Sequence, residues 1–159
     1  MKISIRGAQA SDAKTLLGFI KELAAFEKLS HEVLASEAEL RRTLFEEPCG
    51  AEALIVEVDG QPAGYALFFK SYSTFLAKPG LYLEDLYVTP SHRSRGLGGF
   101  VLKHLAQICL DRGYGRMEWS VLDWNERALQ FYRSVGATAM TDWTVQRMDE
   151  AALQQFATS

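Results

Sequence analysis

The chain has 159 residues, which is enough for a buried core, and we expect a single domain over residues 1–159. Its composition, 48% hydrophobic and 23% charged, is that of a globular protein and excludes a disordered chain. A formal net charge of -3, with lysine and arginine spread along the sequence, argues against nucleic acid as a partner.

The N-terminal part of the sequence predicts one strand and two helices. Ile3 and Ile5 alternate with polar residues, which is typical of a short strand. Ser11 and Asp12 supply an N-cap and a first-turn acid for the helix that follows. The predicted elements are a strand at residues 2–6, a helix at residues 12–28 and a second helix at residues 36–45.

Three strands are predicted next, and a tight turn joins the first two. Asp59-Gly60 is a strong two-residue hairpin signal. Lys78, Pro79 and Gly80 are typical of a loop before the third strand. The predicted strands cover residues 53–58, residues 63–72 and residues 81–88.

The C-terminal part alternates helices and strands. Gly113 predicts the end of an amphipathic helix that follows a glycine-rich loop, and Asn125 predicts the start of the next helix. The remaining predicted elements are a strand at residues 116–122, a helix at residues 125–134, at least one strand within residues 137–148 and a helix at residues 149–156. The order of elements predicts a mixed α/β fold.

Cysteine use and hydropathy restrict the setting of the protein. Cys49 and Cys109 are too few for a disulfide scaffold, and no Cys/His cluster has the spacing of a metal site. The first residues lack the apolar stretch of a signal peptide, and no apolar run reaches the length of a membrane helix. We therefore expect a reduced, cytoplasmic protein with no metal and no membrane partner.

The loop at residues 93–99 is the clearest candidate for ligand binding. It follows a strand and opens a helix near Gly96, where backbone N–H groups are unpaired and point outward. Glycines let a ligand approach the backbone, and two arginines add positive charge. The loop lacks the Lys-Ser/Thr of a Walker A motif and the spacing of GxGxxG. It predicts a pyrophosphate site, and a flexible turn with solvated arginines is the alternative.

The pattern Arg93-x-x-Gly96-x-Gly98 after a strand resembles the acetyl-CoA signature of the GNAT superfamily of N-acetyltransferases. Residues 81–88, residues 21–28 and residues 121–128 resemble segments of its diamine (spermidine/spermine) and thialysine acetyltransferases. The resemblance implies a GNAT fold, with a mixed, mostly antiparallel sheet that is splayed between strands 4 and 5 and has helices on both faces. It also implies a homodimer.

The resemblance implies two sets of binding residues. Those that would hold acetyl-CoA, the co-substrate, are Leu86, Tyr87, Val88, Arg93, Ser94, Arg95, Gly96, Leu97, Gly98, Gly99, Asn125 and Ala128. Those that would bind the amine are Phe26, Glu27, Glu84 and Trp119. The sequence departs from the family pattern in two places. Asp59-Gly60 closes tightly a hairpin that has extra residues in the vertebrate diamine enzymes, and Ser94 stands where the family often has glycine.

Two side chains are candidates for the chemistry of transfer. An amine must be neutral to attack a thioester, and Glu84 could accept its proton, directly or through water. Glu84 and Asp85 are adjacent acids in one strand, so one of them could instead be structural. Tyr132 could protonate the leaving thiolate, although the helical spacing alone would also fit a core aromatic residue.

The function predicted from these residues is direct transfer of acetyl from acetyl-CoA to a primary amine. The expected substrate is a small polycation or a lysine-like amine of the diamine, polyamine or thialysine type. The alternatives are acetylation of another small amine or a protein lysine, and a regulatory module that binds acyl-CoA without turnover. Cys109 is expected in the core and Cys49 in a turn, so no covalent intermediate is required.

Overall fold

The computed structural model describes residues 1–159 and contains five strands and five α-helices. The strands are β1 (Ile3–Gly7), β2 (Ala51–Val58), β3 (Gln61–Ser73), β4 (Lys78–Val88) and β5 (Met117–Trp119). The helices are α1 (Ala13–Phe26), α2 (Glu37–Arg41), α3 (Leu97–Asp111), α4 (Glu126–Ser134) and α5 (Glu150–Ala157). None of the helices combines the length and apolarity needed to cross a membrane. Two compact units, Met1–Ser120 and Val121–Ser159, are described separately below.

The first unit contains the whole sheet, whose strands follow the order β1-β2-β3-β4-β5. The first three pairs of neighbours are antiparallel, and β4 and β5 are parallel. The β4–β5 pairing covers only Leu81 to Leu83, so β5 leaves the edge of β4 unpaired over residues 84–88. The α/β class, the mixed sheet and its splay between the fourth and fifth strands are thus confirmed.

A β-bulge interrupts β4 at the position where β5 ends. Leu67 of β3 lies opposite Asp85, whereas Phe68 lies opposite Leu83, so Glu84 is the extra residue. The bulge reverses the alternation of faces along β4. As a result Leu83 lies on one face of the sheet, while Asp85 and Tyr87 lie on the other.

One face of the sheet packs against α1. The Phe19 ring stacks on Tyr65 with ring centroids 6.1 Å apart and contacts Tyr87 at 5.9 Å. Leu16 and Ile55 are fully buried in the same cluster. Burial of each such side chain stabilises the fold by about 1.5–3 kcal/mol, so this cluster fixes α1 against β3 and β4.

The other face carries α3. Leu97, Val101 and Leu105 repeat at helical spacing and are almost fully buried. Cys109 continues this stripe and is buried, as the sequence predicts. At the end of α3 the Arg112 guanidinium lies 6.0 Å from the centre of the Phe68 ring and forms a two-pronged ion pair with Glu52. These contacts hold the helix along its length against β2, β3 and β4.

The N-cap predicted at Ser11 is wrong, because Asp12 occupies the N-cap position of α1. A 3-10 turn, Ala10–Asp12, precedes α1, and the Asp12 side chain makes no cap hydrogen bond to that helix. Its carboxylate instead accepts hydrogen bonds from the Arg6 guanidinium at 2.8 and 2.9 Å and from the Gln9 N–H at 2.8 Å. A nearby guanidinium is a stronger donor than a helix N–H, which explains why the Asp12 side chain pairs with Arg6 and does not cap α1.

The predicted loop at residues 78–80 is also wrong, because β3 and β4 extend past the main sheet as a two-stranded ribbon. Pro79 lies opposite Tyr72, and the turn is confined to residues 74–77. Proline is tolerated in a strand where its missing N–H is not needed for the ladder. A Cβ on Gly80 would lie 2.9 Å from the Arg116 carbonyl oxygen, so glycine is required by the close approach of that backbone.

The second unit confirms the cap predicted at Asn125, shows a further cap at Asp149, and contradicts a predicted strand. The side chains of Asn125 and Asp149 accept hydrogen bonds from the N–H groups of Ala128 and Ala152 at 3.2 and 2.9 Å. No strand forms within residues 137–148. Its apolar residues favour a strand, but β-propensity stabilises an extended segment only when a neighbouring strand pairs with it. The strand predicted at residues 116–122 is likewise shorter, since β5 ends at Trp119.

Candidate functional site

The glycine loop adopts the geometry that an anion site needs. Gly96 is the N-cap of α3 with a φ of +80°, and Ser94 also has a positive φ of 63°. These left-handed positions turn the chain so that the first N–H groups of a 15-residue helix end in the loop. Apart from Gly98 itself, its chain neighbours and the adjacent backbone of its own helix, no protein atom lies within 4 Å of a Cβ built on Gly98, so the approach to that backbone is open. The loop therefore fits a phosphate group at a helix N-terminus.

Arg93 holds the base of this loop in place. Its Nε donates a hydrogen bond of 2.9 Å to the Val88 carbonyl oxygen, at the end of β4. The guanidinium lies 5.0 Å from the centre of the Phe26 ring and 5.3 Å from that of Tyr87. Arg93 therefore connects the loop with the C-terminal end of α1 and with the end of β4. Arg95 is exposed beside it.

The unpaired edge of β4 leads directly into the loop. Residues 84–88 pair with β3 on one side and lack β5 on the other. Leu86 and Val88 are partly exposed there, whereas Tyr87 is buried under α1. An extended ligand can form main-chain hydrogen bonds with such an edge in the manner of an added strand.

Acidic side chains gather where α1 ends near the bulge of β4. The Tyr65 hydroxyl donates a hydrogen bond of 2.8 Å to Asp85 Oδ2. Burial raises the pKa of Asp85, and the hydrogen bond from Tyr65 opposes that rise. Burial also raises the pKa of Glu27, and the negative charge of Asp85 adds to the effect. The pKa of the Tyr65 phenol is raised by burial first and by Asp85 second.

The structure brings part of the predicted amine site together. Glu27 is partly buried at the C-cap of α1, and Phe26 is exposed beside it under the guanidinium of Arg93. Glu84 is exposed on the bulge, next to Asp85. Trp119 is partly buried in β5, where its Cα lies opposite that of Leu83. The roles predicted for these residues remain predictions.

The predicted residues of the second unit lie on and beside α4. The Asn125 side chain caps the helix through the Ala128 N–H. Tyr132 is partly buried on α4, and its ring centre lies 5.9 Å from that of Phe131. That partial burial fits an accessible phenol better than a fully buried core residue. Contact of these residues with a cofactor remains a prediction.

Sequence reasoning gave Asp85 no defined role and missed Tyr65. The pairing of their side chains depends on the register of β3 and β4 and on the bulge, neither of which a single sequence displays. One signal was available in the sequence: Tyr65 lies among small and apolar residues in a predicted strand. A buried phenol needs a hydrogen-bond partner, so this position indicates a polar side chain on a neighbouring strand. The Nδ1 atom of His92 lies 2.9 Å from Thr89 Oγ1, which is a local contact within a turn.

Comparison with known proteins gives a consistent answer. The family model described as the acetyltransferase (GNAT) family matches residues 18–137. The chain is 37% identical to a thialysine N-epsilon-acetyltransferase of Bos taurus, over 98% of this chain and 97% of the relative. It is 30% identical to L-ornithine N5-acetyltransferase NATA1 of Arabidopsis thaliana, over 94% of this chain and 86% of the relative.

A solved structure agrees with the fold. An integron cassette protein from the mobile metagenome of V. cholerae superposes with a TM-score of 0.83 at 26% identity. The match covers 100% of this chain and 99% of that structure. The architecture described above is therefore shared along the whole chain. No group of three or more His, Cys, Asp or Glu side chains is arranged to hold a metal ion.

Proposed function

This chain belongs to the acetyltransferase (GNAT) family, and from that membership we propose that it transfers acetyl from acetyl-CoA to a small polycationic or lysine-like amine. That it is an acetyltransferase acting on an amine follows from the family and from relatives that match nearly its whole length. The single observation that carries the choice of amine is the 37% identity to a thialysine N-epsilon-acetyltransferase. The acids around Glu27 and Asp85 give that choice a physical basis.

The glycine loop would bind the pyrophosphate of acetyl-CoA. The left-handed Gly96, the open approach at Gly98 and the helix N-terminus support this assignment. The co-substrate supplies the acetyl thioester. The other residues proposed to hold it are Leu86, Tyr87 and Val88 on the strand edge, Arg93, Ser94, Arg95, Leu97 and Gly99 in the loop, and Asn125 and Ala128 near the start of α4.

The amine would bind between α1 and the bulge of β4. An alkyl ammonium has a pKa near 10 and so arrives as a cation, which Glu27 and Glu84 can attract. The exposed ring of Phe26 offers an aromatic face to the same charge. Trp119 would form part of the wall. A cation in this position would also relieve the repulsion between Glu27 and Asp85.

Two proton transfers complete the proposed mechanism. Glu84 would take a proton from the ammonium, directly or through water, so that the neutral amine can attack the thioester carbonyl. Tyr132 would donate a proton to the departing thiolate. Burial raises the pKa of the Cys109 thiol, which makes it a poor nucleophile, so direct transfer is preferred to an acyl-enzyme route.

The test is thiol release from acetyl-CoA with a panel of amines. The panel contains thialysine, lysine, ornithine, putrescine, spermidine, spermine and a lysine-containing peptide. We expect kcat/KM to be highest for one of the small amines and lowest for the peptide. A preference for the peptide would replace the proposed substrate with a protein lysine. Tight binding of acetyl-CoA with no thiol release for any amine would instead identify a regulatory module.

We propose that the protein is cytoplasmic, folds as one domain and forms a homodimer. Cys49 and Cys109 are both free thiols, as a reducing cytoplasm maintains them. The unit Val121–Ser159, about 40 residues long, is too short to bury a core alone, which favours one folding domain for the chain. Apolar side chains exposed in that unit favour a homodimer; they include Trp143, Val145 and Phe156.

A further inference from the structure

The contact between Tyr65 and Asp85 is unusual for a sheet whose two faces are largely apolar. Tyr65 is fully buried, and its ring packs on Phe19. Its hydroxyl nevertheless reaches a carboxylate on the neighbouring strand at 2.8 Å. A phenylalanine would fill the same space without a polar group, so packing alone does not require the hydroxyl.

The Tyr65 hydroxyl matters because of where its partner Asp85 lies. The bulge at Glu84 turns Asp85 toward the α1 side of the sheet, where its charge acts on Glu27. The donor to Asp85 is a neutral phenol, so this hydrogen bond fixes the carboxylate without cancelling its charge. A fixed anion beside Glu27 is suited to bind one end of a cationic amine.

We propose that Tyr65 is a positioning residue, which holds the Asp85 carboxylate so that Asp85 and Glu27 together bind the ammonium of the substrate. This inference rests on the proposed function. Tyr65 itself does not touch the amine; it fixes the rotamer of Asp85 and favours the ionised form of that carboxyl. The substrate class that follows is an amine that is cationic when it binds, and a neutral amine analogue gains nothing from the arrangement.

The charged and titratable groups around this contact come from α1, from β4 and from the glycine loop. Glu27 lies at the end of α1, Glu84 and Tyr87 lie on β4, and Arg93 lies in the loop. Glu22 of α1 acts on Tyr87 rather than on Asp85. A pH profile alone could therefore mix several titrations, and the test needs a variant that removes the Asp85 charge.

The experiment compares kcat/KM for the best amine across pH in the wild type and in Tyr65→Phe. Loss of a hydrogen bond to a charged group corresponds to a fall of about tenfold, which we expect in KM more than in kcat. Because the hydrogen bond favours the ionised carboxyl, its removal should move the acidic limb of the profile to higher pH. Tyr82→Phe is the matched control, since Tyr82 lies on β4 and the variant removes a 2.8 Å contact with the neutral Ser120 hydroxyl.

A double-mutant cycle separates positioning from stability. In an Asp85→Asn background, Tyr65→Phe should change kcat/KM less than twofold and leave the pH profile unmoved. An equal loss in both backgrounds, or an acidic limb that does not move, would overturn the inference. If no amine is turned over, the proposed function fails. The inference is then decided by ¹³C NMR titration of the Asp85 carboxyl, whose midpoint must rise in Tyr65→Phe.

Discussion

The Glu27 carboxyl lies at the end of α1, where burial and the charge of Asp85 both disfavour its ionised form. An acid whose folded-state pKa is raised reduces stability above its unfolded pKa of about 4.5. Glu27 thus destabilises the free protein at neutral pH, as expected for a side chain kept for binding. A bound ammonium would reverse this cost.

The first prediction concerns Glu27→Gln. Removal of the charge should raise KM for the amine about tenfold, with little effect on kcat, while the melting temperature stays equal or rises. In the wild type, KM should rise as pH falls through the raised pKa of Glu27, and this dependence should be weaker in the variant. Steady-state kinetics and thermal unfolding measure both effects. Glu32→Gln is the control, because Glu32 is exposed; a shared loss would contradict the prediction.

The second prediction concerns the phenol on α4. If Tyr132 protonates the leaving thiolate, Tyr132→Phe should lower kcat about a hundredfold. The Kd of acetyl-CoA should change little, because the ring remains. Single-turnover thiol release and calorimetric binding measure the two quantities. Tyr72→Phe, at an exposed tyrosine of the ribbon, should behave as the wild type. An unchanged single-turnover rate in Tyr132→Phe would remove this residue from the mechanism.

The start of α3 combines two glycines with different physical roles. Gly96 has a left-handed backbone, where any side chain is strained. Gly98 lies in the first turn of the helix with open space at its Cβ position. The fold therefore needs the first glycine, whereas the second would be needed only by the proposed pyrophosphate ligand.

The third prediction separates these roles. Gly96→Ala should lower the free energy of unfolding by about 1 kcal/mol or more, through backbone strain. Gly98→Ala should leave stability equal or slightly higher, since alanine favours a helix, yet weaken acetyl-CoA binding because its methyl group occupies the open approach. Urea unfolding and calorimetry test the pair. Normal acetyl-CoA affinity in Gly98→Ala would contradict the assignment of the loop as the pyrophosphate site.

The sequence predicts those elements whose signals are local. Helix α3 ends at Asp111, and Gly113 just beyond it has the left-handed backbone that glycine favours. Asp59-Gly60 forms its turn for the same local reason. The bulge at Glu84 and the contact between Tyr65 and Asp85 depend on which residues of two strands lie opposite each other. That register is set by the whole sheet, so the candidate amine site at the end of α1 was predicted only in part.

At the scale of the whole molecule, the second unit carries several large apolar side chains that are exposed. Trp143 and Val145 are 77% and 78% exposed, and Phe156 is 70% exposed. The segment at residues 137–148 has strand-forming residues but forms no strand and contains a turn at residues 141–142. Burial of one such large side chain is worth about 1.5–3 kcal/mol, so a second copy of the chain could be held by a few of them.

The fourth prediction is the mass in solution. Light scattering at micromolar concentration should give twice the 17.8 kDa of the chain. Trp143→Ser combined with Val145→Ser should reduce that mass toward the monomer. Leu34→Ser is the control, since Leu34 is 89% exposed but lies in the first unit. A monomeric wild type would contradict the homodimer, and a dimeric double variant would place its interface elsewhere.

The single inserted residue in β4 divides the strand into two segments under separate constraints. Before Glu84, Leu81 and Leu83 are buried on one side of the sheet; after it, Asp85 and Tyr87 lie on the opposite side. A deletion at this point would therefore exchange the two sides for all residues beyond it, whereas a substitution would alter one side chain. The candidate amine site thus depends on the spacing that the bulge sets as well as on the identity of its residues.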